Sequence, residues 1–193
     1  MARAALRPLA RAAWHHLPAM TFVHLLPERG SETLPEPSLS STWQIWFDGC
    51  ALPNPGRIGL GALLLSPDGA RVELSSPSGR TGCSNEAELI ALCAALEHAG
   101  GLGARHIYIR GDSDFVVRHL RGEQRTAIAP LLDLVERTEA LLAGFESVSL
   151  EWVPRHRNRD ADRLSRAALG LPDKPAPVPG HRRTHTRTRS RGR

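Results

Sequence analysis

The sequence predicts an α/β fold, a mixed five-stranded sheet flanked by helices. Three observations carry that prediction. From Trp43 onward apolar and polar residues alternate, the two-residue period of a half-buried strand. From Glu86 the apolar spacing lengthens to that of an amphipathic helix. Beyond Gly101 strand-like and helix-like stretches then alternate as far as Leu169, an order that requires parallel crossovers, whereas the early strands joined by tight turns require antiparallel neighbours.

The first strand is predicted at Trp43–Asp48, where Trp43, Ile45 and Phe47 alternate with Gln44, Trp46 and Asp48. Ala51–Gly56 follows as a turn, punctuated by Pro53, Asn54, Pro55 and Gly56. Gly59–Ser66 is the second strand, Pro67–Gly69 a hairpin turn and Ala70–Ser75 the third strand. Glu86–Ala99 carries Leu89, Leu92, Cys93 and Leu96 at helical spacing, and Gly100 and Gly101 end it. Arg105–Arg110 is a fourth strand and Ser113–Leu120 a short helix. Ile128–Phe145 is a longer helix with Ile128, Leu131, Leu132, Val135 and Leu142 on one stripe. Ser147–Val153 is a fifth strand, and Asp160–Leu169 a last helix ended by Gly170 and Pro172. The three early strands form a meander, and the later two join it in parallel.

Around this body (43–170) lie two segments of different composition. Residues 1–42 read as an extension and linker, disordered or partly helical, with a stretch rich in Pro, Ser and Glu before Trp43. Residues 171–193 read as a disordered tail, first Pro-rich and then Arg-rich. The formal net charge of +5 belongs to that tail. Residues 181–193 hold six arginines and no acid, whereas 43–180 hold 15 basic and 17 acidic residues. A basic tail suits phosphate contact, and a solvated end is the alternative. No apolar run approaches the ~20 residues that span a bilayer. The three cysteines, Cys50, Cys83 and Cys93, have no metal-binding spacing and point to a reducing, cytoplasmic setting. The acid-free start with Arg3, Arg7 and Arg11 also fits an organelle transit peptide, although serine is absent before Ser31. A single body without a heptad repeat is expected to be a monomer.

Four acids fall where strands end or helices begin. Asp48 closes the first strand, Glu88 lies in the first turn of the first helix, Asp112 follows the fourth strand, and Asp162 lies near the start of the last helix. Parallel crossovers bring these ends together. Carboxylates so gathered repel unless cations neutralise them, and hard oxygen donors suit magnesium or manganese. Taken singly, each acid has an ordinary structural role available. Asp48 can be a solvated strand end, and Glu88 the third helical residue of a capping box begun by Asn85. Asp112 can cap the next helix, and Asp162, like Asp160, can favour a helix dipole.

Four segments in order resemble the type 1 ribonuclease H family. They are FDGCALPNPGRIGLGALL (47–64), SNEAEL (84–89), GDSDFV (111–116) and WVPRHRNRDADRLSRAAL (152–169), which together span the body. The resemblance implies Asp48, Glu88, Asp112 and Asp162 as ligands of two Mg2+ or Mn2+ ions, one activating water and one stabilising the leaving 3′ oxygen. It implies that His156 assists proton or product movement, against the alternative of a surface histidine among Arg155, Arg157 and Arg159. It implies that Asn54, Ser84 and Asn85 contact an RNA/DNA hybrid in its minor groove, where 2′-hydroxyls mark RNA; a turn residue (Asn54) and a helix cap (Asn85) are the competing roles. Ser84 stands where many members carry asparagine. Cys50 follows Asp48-Gly49, where its thiol would make the site sensitive to oxidation or soft metals. No room is left between Asp112 and Trp152 for an extra basic protrusion, so the chain resembles the handle-less members.

The activity implied is endonucleolytic hydrolysis of the RNA strand of RNA/DNA hybrids. Three other classes fit the residues less well. A non-catalytic hybrid-binding or RNA-binding module on the same fold has no use for four acids plus His156. An integrase-like nuclease lacks the Asn85–Glu88 helix start. A basic structural protein would carry its charge over the body.

Overall fold

The alternation at the first strand continues further than its pattern suggests. In the computed structural model, which describes residues 41–174, β1 spans Thr42–Leu52. It pairs antiparallel with β2 (Gly56–Leu65), from Gln44 opposite Leu65 to Leu52 opposite Arg57. Asp48 therefore does not close the strand. It sits within the hairpin opposite Gly61, just past the point where the parallel partner leaves. That partner, β4 (His106–Gly111), pairs with β1 only as far as Trp46 opposite Arg110. The hairpin outlasts the parallel ladder, so Asp48 emerges from the sheet's centre while its backbone remains held.

β3 (Arg71–Gly82) lies at one edge and β5 (Ser147–Trp152) at the other, in the order β3-β2-β1-β4-β5. The expected meander and two parallel strands are all present. β3 runs well beyond the expected Ser75, through a stretch that reads as a loop. An edge strand tolerates Pro77 because one side needs no partner, and the ladder is irregular there, between Arg57 and Gly59 of β2.

The side chains of Ile45, Phe47, Ala62, Leu64, Ile107 and Ile109 point to one face. There they meet α1 (Ser84–Gly101), α2 (Asp114–Leu120) and α3 (Ala129–Leu142). The α1 stripe is as expected: Leu89, Leu92, Cys93 and Leu96 are buried, with alanines between them. The α3 stripe is rotated from the expected one. Leu131, Leu134, Val135 and Thr138 face inward, whereas Ile128, the residue before the helix, and Leu132 are exposed. A short 3-10 turn (Arg155–Arg157) leads from β5 into α4 (Arg159–Ala167), which, alone among the described helices, packs on the opposite face. Among the described residues no helix is long and apolar enough to cross a membrane. The expected extension as far as residue 40, and the tail from residue 175 with its arginines, lie outside the described residues.

Candidate active site

Two glycines bring the helices close enough to deliver acids. A side-chain carbon on Gly49 would lie 2.1 Å from the Ala87 carbonyl carbon, so only glycine lets α1 approach β1 there. The close approach allows a bond from the Gly49 amide to Glu88 Oε2 at 3.3 Å. On the other face, a side-chain carbon on Gly61 would lie 2.2 Å from the Ser165 nitrogen. α4 therefore seats against β2, and Ser165 Oγ donates to Asp48 Oδ2.

The local helix starts leave the acids free for this use. α1 is not capped by Asn85. Its cap position is Cys83, whose amide donates to Glu86 Oε2 at 2.7 Å. Glu86 thus takes the capping role that the sequence also allowed for Glu88, and Glu88, two residues on, turns inward. Likewise Asp112 does not cap α2, because Ser113 does, accepting from the Val116 amide at 3.4 Å. Asp114 and Asp160, the other near neighbours, are exposed and pair with Arg118 and Arg71.

Carboxylate oxygens of Asp48, Glu88 and Asp112 consequently lie within 4.8 Å of one another. The charges are in an unfavourable setting. Burial, reinforced by the charges of Asp112 and Asp162, pushes Asp48 up to about 6 despite the Ser165 bond. Burial and the charges of Asp48 and Asp112 push Glu88 well above the usual carboxylate range. The three contribute carboxylate oxygens to one point, a donor set that fits a hard divalent cation.

Asp112 is fixed from two sides. Asn158 Nδ2 donates to its Oδ1, and Arg155 Nε to its Oδ2 at 3.1 Å. Trp152 Nε1 also donates to the Asp112 carbonyl at 3.3 Å. Asn158 is almost fully buried, and its amide nitrogen also reaches the Phe47 carbonyl at 2.8 Å. Asp162 is near enough for its charge to act on Asp48, but it is not among the three converging acids, and its carboxylate is paired with Lys174. His156 is exposed on the 3-10 turn, beside a groove of about 480 Å³ floored by Trp46, Leu63 and Leu65.

The three expected substrate contacts sit at the mouth formed by the β1–β2 turn and the start of α1. Asn54 Nδ2 donates to Ser84 Oγ at 3.2 Å, and the Ser84 amide donates to Asn54 Oδ1 at 3.1 Å. Asn85 is half-buried beside them. Cys50 differs from the reactive thiol expected: burial pushes it up, and its sulfur donates to the Ser165 carbonyl at 3.1 Å.

Sequence reasoning missed three residues. Asn158 was visible only as a marker four positions before Asp162. Ser165 shows no signal beyond following Asp162 by one helical turn. Lys174 lies past the last helix, in a stretch with no apolar pattern.

Residues 46–168 match the family model described as reverse transcriptase-like. Ribonuclease HI of Halobacterium salinarum is 37% identical over 134 residues, 69% of this chain and 67% of that protein. The crystal structure of RNase H1 from that organism superposes with a TM-score of 0.64 at 38% identity, covering 67% of this chain and 98% of that one. The bifunctional protein Rv2228c of Mycobacterium tuberculosis is 37% identical over 63% of this chain, which spans about a third (34%) of that longer protein. LC11-RNase H1, solved in complex with an RNA/DNA hybrid, superposes with a TM-score of 0.61 at 26% identity, covering 66% of this chain and 96% of that one.

Proposed function

We infer the function from one premise: the chain belongs to the ribonuclease H family. It is an endoribonuclease that hydrolyses the RNA strand of RNA/DNA hybrids. The observation that carries this reading is the convergence of Asp48, Glu88 and Asp112 at the end of the parallel ladder.

In this reading Asp48, Glu88, Asp112 and Asp162 hold divalent cations, two Mg2+ or Mn2+ ions. When bound, such ions supply an activated water and neutralise charge on the scissile phosphate. The protein's own groups do the positioning. Gly49 holds Glu88 through its amide, Ser165 orients Asp48, and Asn158 with Arg155 orients Asp112. Bonds of this kind set the direction of ligand lone pairs before any ion arrives. His156, exposed on the 3-10 turn that also carries Arg155, would exchange protons with solvent in this reading.

The hybrid would lie across the mouth. There Asn54, Ser84 and Asn85 offer donors and acceptors to 2′-hydroxyls, without reading bases. With a slightly acidic body, the Arg-rich segment 181–193 supplies phosphate contacts. The protein acts as a monomer in a reducing compartment.

The test is incubation with a labelled RNA/DNA hybrid in Mg2+ and in Mn2+, beside Asp48→Asn. Metal-dependent cleavage confined to the RNA strand, and lost in the variant, is the expected result. Binding without cleavage in either metal would leave a hybrid-binding module on the same fold.

A further inference from the structure

We propose that Lys174 is a built-in counter-cation of the carboxylate centre, which a divalent ion must displace from Asp162 before the centre is complete. The proposal rests on the reading of Asp162 as a metal ligand given above.

The placement of Lys174 is built by the chain. α4 ends at Ala167, and Gly170, at a φ of 72°, turns the backbone. The Leu171 amide returns to the Arg166 carbonyl at 3.0 Å. Arg166 then clamps the returning strand: its Nε and Nη2 donate to the Pro172 carbonyl at 3.1 and 2.9 Å. The chain is thereby led back along the helix, and Lys174 Nζ donates to Asp162 Oδ1. This segment has no apolar residue whose burial explains the fold-back beyond Leu171, so the polar clamp and the ion pair hold it.

The pair is near enough to act on the centre. The Lys174 charge reaches Asp48, where it opposes the repulsion from Asp112 and Asp162. On the far side Arg155 does the same for Asp112. Two basic side chains thus flank the acids, one from each end of the α4 region. They differ in kind. Arg155 bonds an oxygen of an acid already aimed into the cluster, whereas Lys174 holds the one acid that is not among the three that converge. An ammonium group donates hydrogen bonds but cannot bridge several carboxylates as a divalent ion does. The Lys174 side chain is 48% exposed while that of Asp162 is 16% exposed, and an ion pair open to water on its cationic side is weak and readily exchanged. The centre is therefore partly charge-compensated without metal, and metal binding includes a competition for Asp162.

The test is calorimetric titration of Mn2+ into the full-length chain without nucleic acid. The proteins compared are wild type, Lys174→Ala, Lys174→Arg, Asp162→Asn and the double variant. Loss of the competitor should tighten Mn2+ binding about two- to fivefold in Lys174→Ala, the range expected of a solvent-exposed ion pair. Lys174→Arg should stay near wild type. In the Asp162→Asn background, the Lys174→Ala effect should vanish. Unchanged or weaker Mn2+ binding in Lys174→Ala, with Asp162→Asn still weakening it, overturns the proposal and leaves the site reading intact. Mn2+ binding that is absent in wild type, or indifferent to Asp162→Asn, overturns both.

Discussion

Asn158 donates to the Asp112 carboxylate while its own side chain is almost fully buried, and the same nitrogen reaches the Phe47 carbonyl. One amide thus ties the start of the last helix to the first strand and to the end of the fourth. Asn158→Ala should cost about 1–3 kcal/mol in chemical denaturation, since Phe47 is left with a buried, unpaired carbonyl. The same Asn158→Ala change should weaken Mn2+ binding about 10–100-fold, as loss of an orienting partner does, because Asp112 Oδ1 loses its donor. Equal metal affinity in Asn158→Ala and wild type would remove Asn158 from the positioning of Asp112.

Glu86 and Glu88 sit two residues apart and have opposite roles. Glu86→Ala should cost about 1 kcal/mol of stability through the missing cap, with hybrid cleavage retained. Glu88→Gln should abolish cleavage and, in the metal-free protein at neutral pH, raise the melting temperature. Burial disfavours the Glu88 charge, and the amide removes it. A Glu88→Gln protein that melts below wild type would contradict this account.

Asp48 gives the metal-free protein a pH dependence of definite sign. Its carboxyl, ordinarily near 3.8, is at about 6 in the fold, so the folded state binds this proton more tightly than the unfolded chain. Stability is therefore highest at low pH for this group. It falls as pH rises from about 4 through about 6, by on the order of 3 kcal/mol in full. Melting temperatures measured without metal should decline from pH 5 to pH 7.5, and Asp48→Asn should flatten the slope. Mn2+ should raise the melting temperature more at pH 7.5 than at pH 5, because only the ionised carboxylates hold it.

Removal of residues 181–193 should weaken hybrid binding and reduce its salt dependence. For every phosphate that the tail no longer neutralises, the slope of log affinity against log salt becomes shallower by about 0.9. Fluorescence anisotropy from low to moderate salt measures it. A slope equal to that of the full chain would exclude the tail from binding.

The order of elements, the sheet topology and three converging acids are all readable from residue pattern and motif. What is not readable has physical causes. β3 passes through Ser75–Gly82, whose Ser, Pro and Gly content reads as a loop, because an edge strand needs only one partner. The buried face of α3 differs from its apolar stripe because Ile128 and Leu132 are as apolar as the residues that turn inward, and only packing against α1 chooses between them. The family resemblance implies Glu88 and Asp112 over their neighbours. Cap geometry shows why: Glu86 and Ser113 already satisfy the helix starts. The Lys174–Asp162 pair is hidden, since nothing in a Pro-rich stretch foretells a fold-back held by one arginine on a carbonyl.

The bonds from Asn158 to Phe47 and from Ser165 to Asp48 join residues 111 and 117 positions apart. During synthesis the sheet strands and the helices of one face have all left the ribosome before either bond can form. The carboxylate centre is accordingly finished after the five sheet strands and the helices of that face. A chain cut short before the 3-10 turn would have its sheet strands and an acid from each of three elements, but none of Arg155, Asn158 and Ser165 to aim two of those acids.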